Sequence, residues 1–443
     1  MRRGLSVALV WLSAGGALAA DLPRAIQPDD FPVPGATSVL LGRDLFFDPI
    51  LSGNRNISCA SCHDATLGSS DGVSLSLGEG AHGRGMLRTG APGLDEPRRL
   101  PRNTPSLFNL GAFEFTVLMH DGRVEADPTT RFGFRLPDGR FLERPVPSAL
   151  AAQALMPLVA ADEMAGHPGE NPVADAVAAG NITGLGGAWD LLARRVADTP
   201  EYRQRFAWLS GQGEPLHAVD IARVLSDFMT YEFRASDSPF DAFLRGDDRA
   251  LGNDALRGMA VFYGKGNCAS CHSGPFQTDH QFHSIGVPQI GPGKTHGPKM
   301  ADHGRAAITN TPDDAYRFRT PSLRNVVLSA PYGHSGAFDT LESMIRHHLD
   351  AMTSLAEYTG DAALLPHSGA PEEMLGAMAD FDEVLNIAAA IEITPVALSD
   401  AEISALMSFM NALTDPISST GRLGPPEQLP SGLALDANMT PPS

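Results

Sequence analysis

Four cysteines constrain this 443-residue chain more than any other feature, because they fall as Cys59-Ala60-Ser61-Cys62-His63 and Cys268-Ala269-Ser270-Cys271-His272. Two thiols three residues apart, with a His directly after the second, form the attachment motif of a c-type haem. Each thiol adds to one vinyl group, and the adjacent His reaches the iron as its proximal ligand. A single copy is also compatible with a zinc half-site or a redox pair. Two copies that consume every cysteine point instead to two covalently bound haems, with no thiol left for a disulfide.

The N-terminus supplies the setting for that chemistry. Arg2 and Arg3 precede an apolar stretch from Leu5 to Leu18, which ends in the small residues Ala17-Leu18-Ala19-Ala20. A basic start, a short apolar stretch and an A-x-A-like site read as a signal peptide over residues 1–20. The stretch is shorter than the roughly 20 apolar residues of a membrane span, so the mature chain is expected to be soluble and periplasmic. Thirty-three basic against 52 acidic residues give a net charge of −19, which argues against nucleic acid as a partner. The 45 glycines and 35 prolines exceed their usual shares of about 7% and 5% and indicate long ordered loops.

The two motifs sit inside an internal repeat. Leu40-Leu41-Gly42-Arg43-Asp44-Leu45-Phe46-Phe47 precedes the first and Leu256-Arg257-Gly258-Met259-Ala260-Val261-Phe262 the second. Downstream, Arg102-Asn103-Thr104-Pro105-Ser106-Leu107 and His120-Asp121-Gly122 correspond to Arg319-Thr320-Pro321-Ser322-Leu323 and His334-Ser335-Gly336. The fold class that follows is mainly α: two homologous c-type cytochrome domains, residues 21–235 and 236–415, each with one covalent haem held in loops between helices. Ser399 and Glu402 make a capping box ahead of an apolar helix face, and Ile221 to Phe233 reads as another amphipathic helix. Phe132 to Leu142 alternates about Pro137-Asp138-Gly139, which predicts a small β-hairpin insertion. Residues 416–443 are Pro-rich without periodicity and are predicted to form a loosely ordered tail.

With these motifs in hand, the chain resembles the bacterial di-haem cytochrome c peroxidase/MauG family. The resemblance rests on Leu45-Phe46-Phe47-Asp48-Pro49 with the first haem motif, Ser238-Pro239-Phe240-Asp241, Thr320-Pro321-Ser322-Leu323-Arg324-Asn325 and Ala330-Pro331-Tyr332-Gly333-His334-Ser335-Gly336. It implies a peroxidatic N-terminal haem ligated by His63 and an electron-relaying C-terminal haem ligated by His272. The family's distal pocket matches Gln153 and, ten residues on, Glu163. Heterolytic cleavage of peroxide needs a group that moves a proton from one oxygen to the other, and Glu163 fits that role with Gln153 positioning the substrate.

The chain departs from the family pattern at three places. Where many members carry a displaceable His that caps the peroxidatic iron, sixteen residues after His63, this chain has Glu79. An open first haem follows, with the nearby His82 as the alternative cap. Where the family has a Trp before Asp-Gly-Arg, this chain has His120, read either as lining the region between the haems or as a structural His. At the sixth-ligand position of the second haem stands His348. Met344 shares its helical face and is the fallback ligand, whereas His347 points about 100° away.

The family also implies a calcium ion, which maps onto Asn103, Ser329 and Pro331. The leading functional expectation is an enzyme, a periplasmic peroxidase that reduces hydrogen peroxide with electrons from a cytochrome c or cupredoxin. A MauG-like enzyme that oxidises a partner protein is the first alternative, and a non-catalytic electron-transfer cytochrome the second. No membrane span is expected, and a homodimer is left open.

Overall fold

Gly42 and Gly258 explain how each half of the chain is built. Gly42 lies on the helix Ala36–Phe47, which crosses the helix Ala218–Glu232 so closely that a Cβ at Gly42 would meet the Val224 carbonyl oxygen at 1.8 Å. Gly258 lies on the helix Asn253–Tyr263, which crosses Asp400–Ala412 with the Ala405 oxygen at 1.9 Å from the same hypothetical atom. Phe228 and Phe409, each four residues beyond the contact, close the two crossings with their Cβ atoms at 2.9 Å. Backbone approach this near leaves room for glycine alone, so the apolar faces of the paired helices meet without a gap.

The structure, a computed structural model, describes residues 22–90, 97–137, 140–210, 213, 215–293, 300–367 and 374–435. Residues 1–20, which the sequence reading takes as a signal peptide, lie outside that set. The described residues are mainly helical, with small sheets. Buried apolar side chains gather into two main clusters, one running from Ile26 to Ala235 with Phe276 added, the other from Phe240 to Leu413. Each of the two long partner helices is closed off in the same way. Asn109 donates its backbone N–H to the Phe233 carbonyl at 2.9 Å, and Asn325 does the same to Leu413 at 3.2 Å. The Ser399–Glu402 capping box forms, Glu402 accepting the Ser399 backbone N–H at 2.7 Å. No described helix is long and apolar enough to cross a membrane.

Two sequence expectations need correction. The expected hairpin about Pro137-Asp138-Gly139 is displaced toward the N-terminus. Phe134–Arg135 pairs antiparallel with Val124–Ala126, which also pairs with Val117–Leu118, so the chain reverses between Asp127 and Gly133. There the Asp127 carboxylate accepts the Thr129 N–H at 2.9 Å, and Gly133 adopts φ of +80°. A side chain bonding its own backbone two residues on sets that reversal. Asp138 and Gly139 lie outside the described residues.

The tail, described through residue 435, is a docked strap and not a loose end. Buried Glu232 accepts the backbone N–H groups of Arg422 at 3.0 Å and Leu423 at 2.8 Å. Farther on, Ser431 donates to Asp48 at 2.8 Å. Local periodicity carried no trace of this because the partners lie about 190 residues away in sequence for Glu232 and farther for Asp48.

Candidate functional site

The second Cys-x-x-Cys-His motif follows directly on the Asn253–Tyr263 helix. A tight turn over Cys268–Ser270 brings the His272 N–H onto the Cys268 carbonyl at 2.9 Å, which presents both thiols and the imidazole to one side. His272 donates Nδ1–H to the Gln277 carbonyl at 3.2 Å, so its Nε2 lone pair is free. Opposite it stands His348, on the Leu341–Leu349 helix that Thr340 caps through the Ser343 N–H. His348 donates Nδ1–H to the Met344 carbonyl at 2.9 Å. The two rings are 6.4 Å apart at their centroids, close to the separation two imidazoles need to share one metal at about 2 Å from each nitrogen. Burial pushes His272 down to about 4 and lowers His348 as well, so both are neutral donors near pH 7.

These rings border a cavity of about 520 Å³ that Cys268, Cys271, Leu341, Leu406 and Met410 also line, a size typical of prosthetic-group sites. Met344 reaches the same cavity. His347 does not. It is fully buried, donates Nε2–H to the Ile285 carbonyl at 2.8 Å and accepts from Ser354 at 3.0 Å, which occupies both nitrogens.

The first motif repeats the hydrogen-bond pattern of the second. His63 takes the Cys59 carbonyl through its backbone N–H at 3.0 Å and donates Nδ1–H to the Ser69 carbonyl at 2.9 Å. The loop that supplies this carbonyl is tied to the repeat sequence, since Ser69 and Ser106 hydroxyls are 3.0 Å apart. In the second half Ser322 donates to the Phe276 carbonyl at 2.6 Å, beside Gln277. Burial pushes His63 down to about 4, and raises the thiols of Cys59 to about 12 and Cys268 to about 11. The four cysteines are unpaired.

Gln153 closes the short helix Ala149–Ala154, and its Oε1 is buried without a hydrogen-bond partner. Glu163 lies on a π-helical turn, Ala161–Ala165, formed by bonds such as Ala165 N–H to the Ala160 carbonyl at 3.0 Å. Turns of this kind recur at functional sites because the extra residue re-aims a side chain. Glu163 is half-buried. The Cys62 thiol is raised by burial, with the negative charges of Asp71 and Glu163 adding to the effect, so Glu163 acts on the first motif electrostatically.

Glu79 is not aimed as a free side chain. Its Oε1 accepts from Asn54 at 2.9 Å and from Asn56 at 2.6 Å, and its backbone N–H donates to Asp162 at 2.9 Å. Gly78 permits this approach, for a Cβ there would stand 2.1 Å from the Asp162 oxygen. The carboxylate thus staples the segment leading into Cys59 to the turn that carries Glu163. Burial raises its pKa. His82 is exposed on a two-residue strand paired with Thr89–Gly90.

Asn103, His120, Ser329, Pro331 and His334 all border this same cavity beside the second motif. Asn103 donates Nδ2–H to the Val73 carbonyl at 2.9 Å, and Ser329 donates its hydroxyl to Val326 at 3.1 Å. His120 is held well below the usual imidazole range by burial and by the Arg102 cation, and its Nδ1 has no partner. His334 stacks on Phe318 with centroids 3.9 Å apart.

Sequence reasoning missed three arginines here. Arg102 bonds Asp302 through two nitrogens, at 2.6 and 2.7 Å, and Asp121 at 2.7 Å. Arg88 is buried, with donors to Leu77, Ser61 and the Cys62 sulfur. Arg319 borders the cavity. Arg102 and Arg319 open the repeated sequence stretches, and that position was the available signal.

Residues 36–249 match the family model for di-haem cytochrome c peroxidases. The chain is 32% identical over 340 residues to the methylamine utilization protein MauG of Methylorubrum extorquens, covering 75% of each. It is 30% identical over 357 residues to the cytochrome c551 peroxidase of Nitrosomonas europaea, covering 78% of this chain and 84% of the relative. The fold is similar to that of a diheme peroxidase from Burkholderia thailandensis, with a TM-score of 0.59 at 22% identity, covering 95% of this chain and 96% of the other.

Proposed function

Since the chain belongs to the di-haem cytochrome c peroxidase family, whose members are oxidoreductases, we propose that it is a periplasmic enzyme that reduces hydrogen peroxide to water. Two single-haem units, residues 21–235 and 236–415, share the work. Cys59 and Cys62 would hold one haem and Cys268 and Cys271 the other, the first supplying when bound an iron for peroxide reduction and the second a one-electron relay. His63 would ligate the first iron through Nε2, its Nδ1–H being donated to the Ser69 carbonyl. Glu163 takes the proton from one peroxide oxygen and delivers it to the other, which leaves as water. Gln153, with its unpartnered Oε1, orients the peroxide. Two molecules of a cytochrome c or cupredoxin bring one electron each, and two protons from solvent complete two waters.

The observation that carries this reading is the tie between the Glu163 turn and the segment leading into Cys59, made by the Glu79 N–H on Asp162 and by the Glu79 carboxylate on Asn54 and Asn56. A pure electron-transfer cytochrome has no need of a glutamine with a buried, unpartnered Oε1 and a carboxylate near enough to Cys62 to raise its thiol. His272 and His348, facing each other with ring centroids 6.4 Å apart, would supply the second haem with two imidazole ligands, with Met344 in reserve. Asn103 and the carbonyls of Ser329 and Pro331, which border the same cavity, would supply neutral oxygen ligands to a calcium ion.

One observation favours a second reading, oxidation of a partner protein in the manner of MauG. Glu79 is committed to Asn54 and Asn56, so no cap has to leave the first iron before a reaction starts. Steady-state peroxide consumption, measured with reduced cytochrome c and with a reduced cupredoxin, tests the leading reading. Two donor molecules oxidised per peroxide support it. Peroxide consumed without donor oxidation contradicts it and directs attention to protein substrates.

Ligand identity at the second haem is checked separately. His348→Ala is expected to convert that haem from low-spin to high-spin, whereas Met344→Ala leaves its spectrum unchanged. The near-infrared sulfur-to-iron band of His/Met haems is expected to be missing from the wild type. The opposite pattern in the two variants assigns the ligand to Met344.

A further inference from the structure

Arg319 borders the cavity beside the second motif without a carboxylate partner. Its Nε donates to the Met119 carbonyl at 3.3 Å and its Nη1 to the Thr320 carbonyl at 3.2 Å. Among the described residues no acid lies within ion-pair distance of it. The other strongly charged groups lining the cavity are matched: Arg324 with Asp241 at 2.9 Å, and Glu392 with Arg317. His120 and His334 next to it are kept neutral by burial, His334 at about 4. Enclosure alone draws Arg319 down to about 10, still charged at any physiological pH. An arginine held in a protein interior against carbonyl dipoles leaves most of its charge uncompensated, and that is costly unless an anion arrives.

The repeat sharpens the point. Thr104-Pro105-Ser106-Leu107 and Thr320-Pro321-Ser322-Leu323 align residue for residue, which sets neutral Asn103 against Arg319. The first half carries its cation one residue earlier, at Arg102, where Asp302 and Asp121 neutralise it, so an unpaired cation at this place belongs to the second half. A porphyrin attached at Cys268 and Cys271 carries two propionates, and a planar guanidinium suits a carboxylate better than any other side chain.

We propose that Arg319 is the counter-charge for a propionate of the second haem and raises that haem's reduction potential above what two imidazole ligands would give alone. The proposal rests on the reading that His272 and His348 ligate this haem. A fixed positive charge near the porphyrin, paired with its carboxylate, disfavours the extra positive charge of ferric iron. Loss of the guanidinium removes that bias and leaves the propionate unpaired, and both changes favour the ferric state.

The test is a spectropotentiometric titration of the low-spin haem in the mature two-haem protein. Arg319→Gln is expected to lower the ferrous-to-ferric ratio at a fixed solution potential by about tenfold, equivalent to about 59 mV for one electron. Arg319→Lys, which keeps the charge, is expected to stay within about twofold of the wild type. A Gln variant with both haems, an unchanged low-spin spectrum and an unshifted ratio overturns the proposal. If the Gln variant fails to mature, the Lys variant decides: a tenfold shift with the charge retained overturns the proposal, and a wild-type ratio supports it. A wild type that lacks a low-spin haem contradicts the ligand reading itself, a separate outcome seen before any variant is made.

Discussion

Glu163→Gln is expected to slow peroxide turnover by about 10²–10⁴-fold while both haems remain attached. The substitution keeps the size of the side chain and its place on the Ala161–Ala165 turn, and removes only the group that can carry a proton between the two oxygens. The turn is held by backbone bonds from Ala165 and Gly166 and by the Glu79 N–H on Asp162, none of which involves the Glu163 carboxylate. Structure and haem content are therefore expected to be unchanged in the variant. Turnover at the wild-type rate removes Glu163 from the mechanism. A comparable loss in a Glu79→Gln variant has a different cause, since that change disturbs the Asn54 and Asn56 contacts that hold the turn in place.

Arg102→Ala has the largest expected effect on stability. Asp302 lies buried with its carboxylate bonded to Arg102 through two hydrogen bonds, and the arginine beside it holds its pKa well below the usual carboxylate range. Removing one member of a buried pair strands the other's charge, at a cost of about 3–5 kcal/mol. Asp121 keeps Arg123 as a partner, so the stranded charge is that of Asp302. The sign of the pH dependence follows. In the wild type the depressed carboxylate contributes stability that is present above its unfolded pKa and lost as the pH falls through the folded one. In the variant the same carboxylate, buried without its cation, is raised, so the folded state gains as the pH falls. The stability gap between wild type and variant is expected to be widest near pH 7 and to narrow toward pH 4, as measured by denaturant unfolding. A gap that is constant with pH removes Asp302 from the account.

The residues that were legible in the sequence are those whose partners lie within one turn or one repeat. Gly42 and Gly258 stood out because the stretches around them are alike, and both proved to be close helix crossings. Ser399 and Glu402 are three apart, and the cap they form is local. The 100° step that separates His347 from His348 is a property of any helix, and the two rings do face different neighbours.

What stayed hidden depends on residues far away in the chain. Arg102 meets Asp302 across 200 positions, and Glu232 receives the tail across 190. Nothing in the composition of either segment signals a partner at that distance. The hairpin was misplaced for a related reason: alternation from Phe132 to Leu142 gave a pattern, but the Asp127 side chain chose where the chain turns. The role of Glu79 was legible only as a missing histidine, because its two asparagine partners gain meaning once the loop before Cys59 is folded back on it.

The central claim is that one haem is open to peroxide and the other is closed by two imidazoles, and an electron paramagnetic resonance spectrum of the fully oxidised wild-type protein tests it most directly. The account expects one high-spin ferric signal from the His63 haem and one low-spin signal from the His272–His348 haem, both present before any reductant is added. A spectrum with low-spin signals alone would contradict it, and would place a sixth ligand on the first iron.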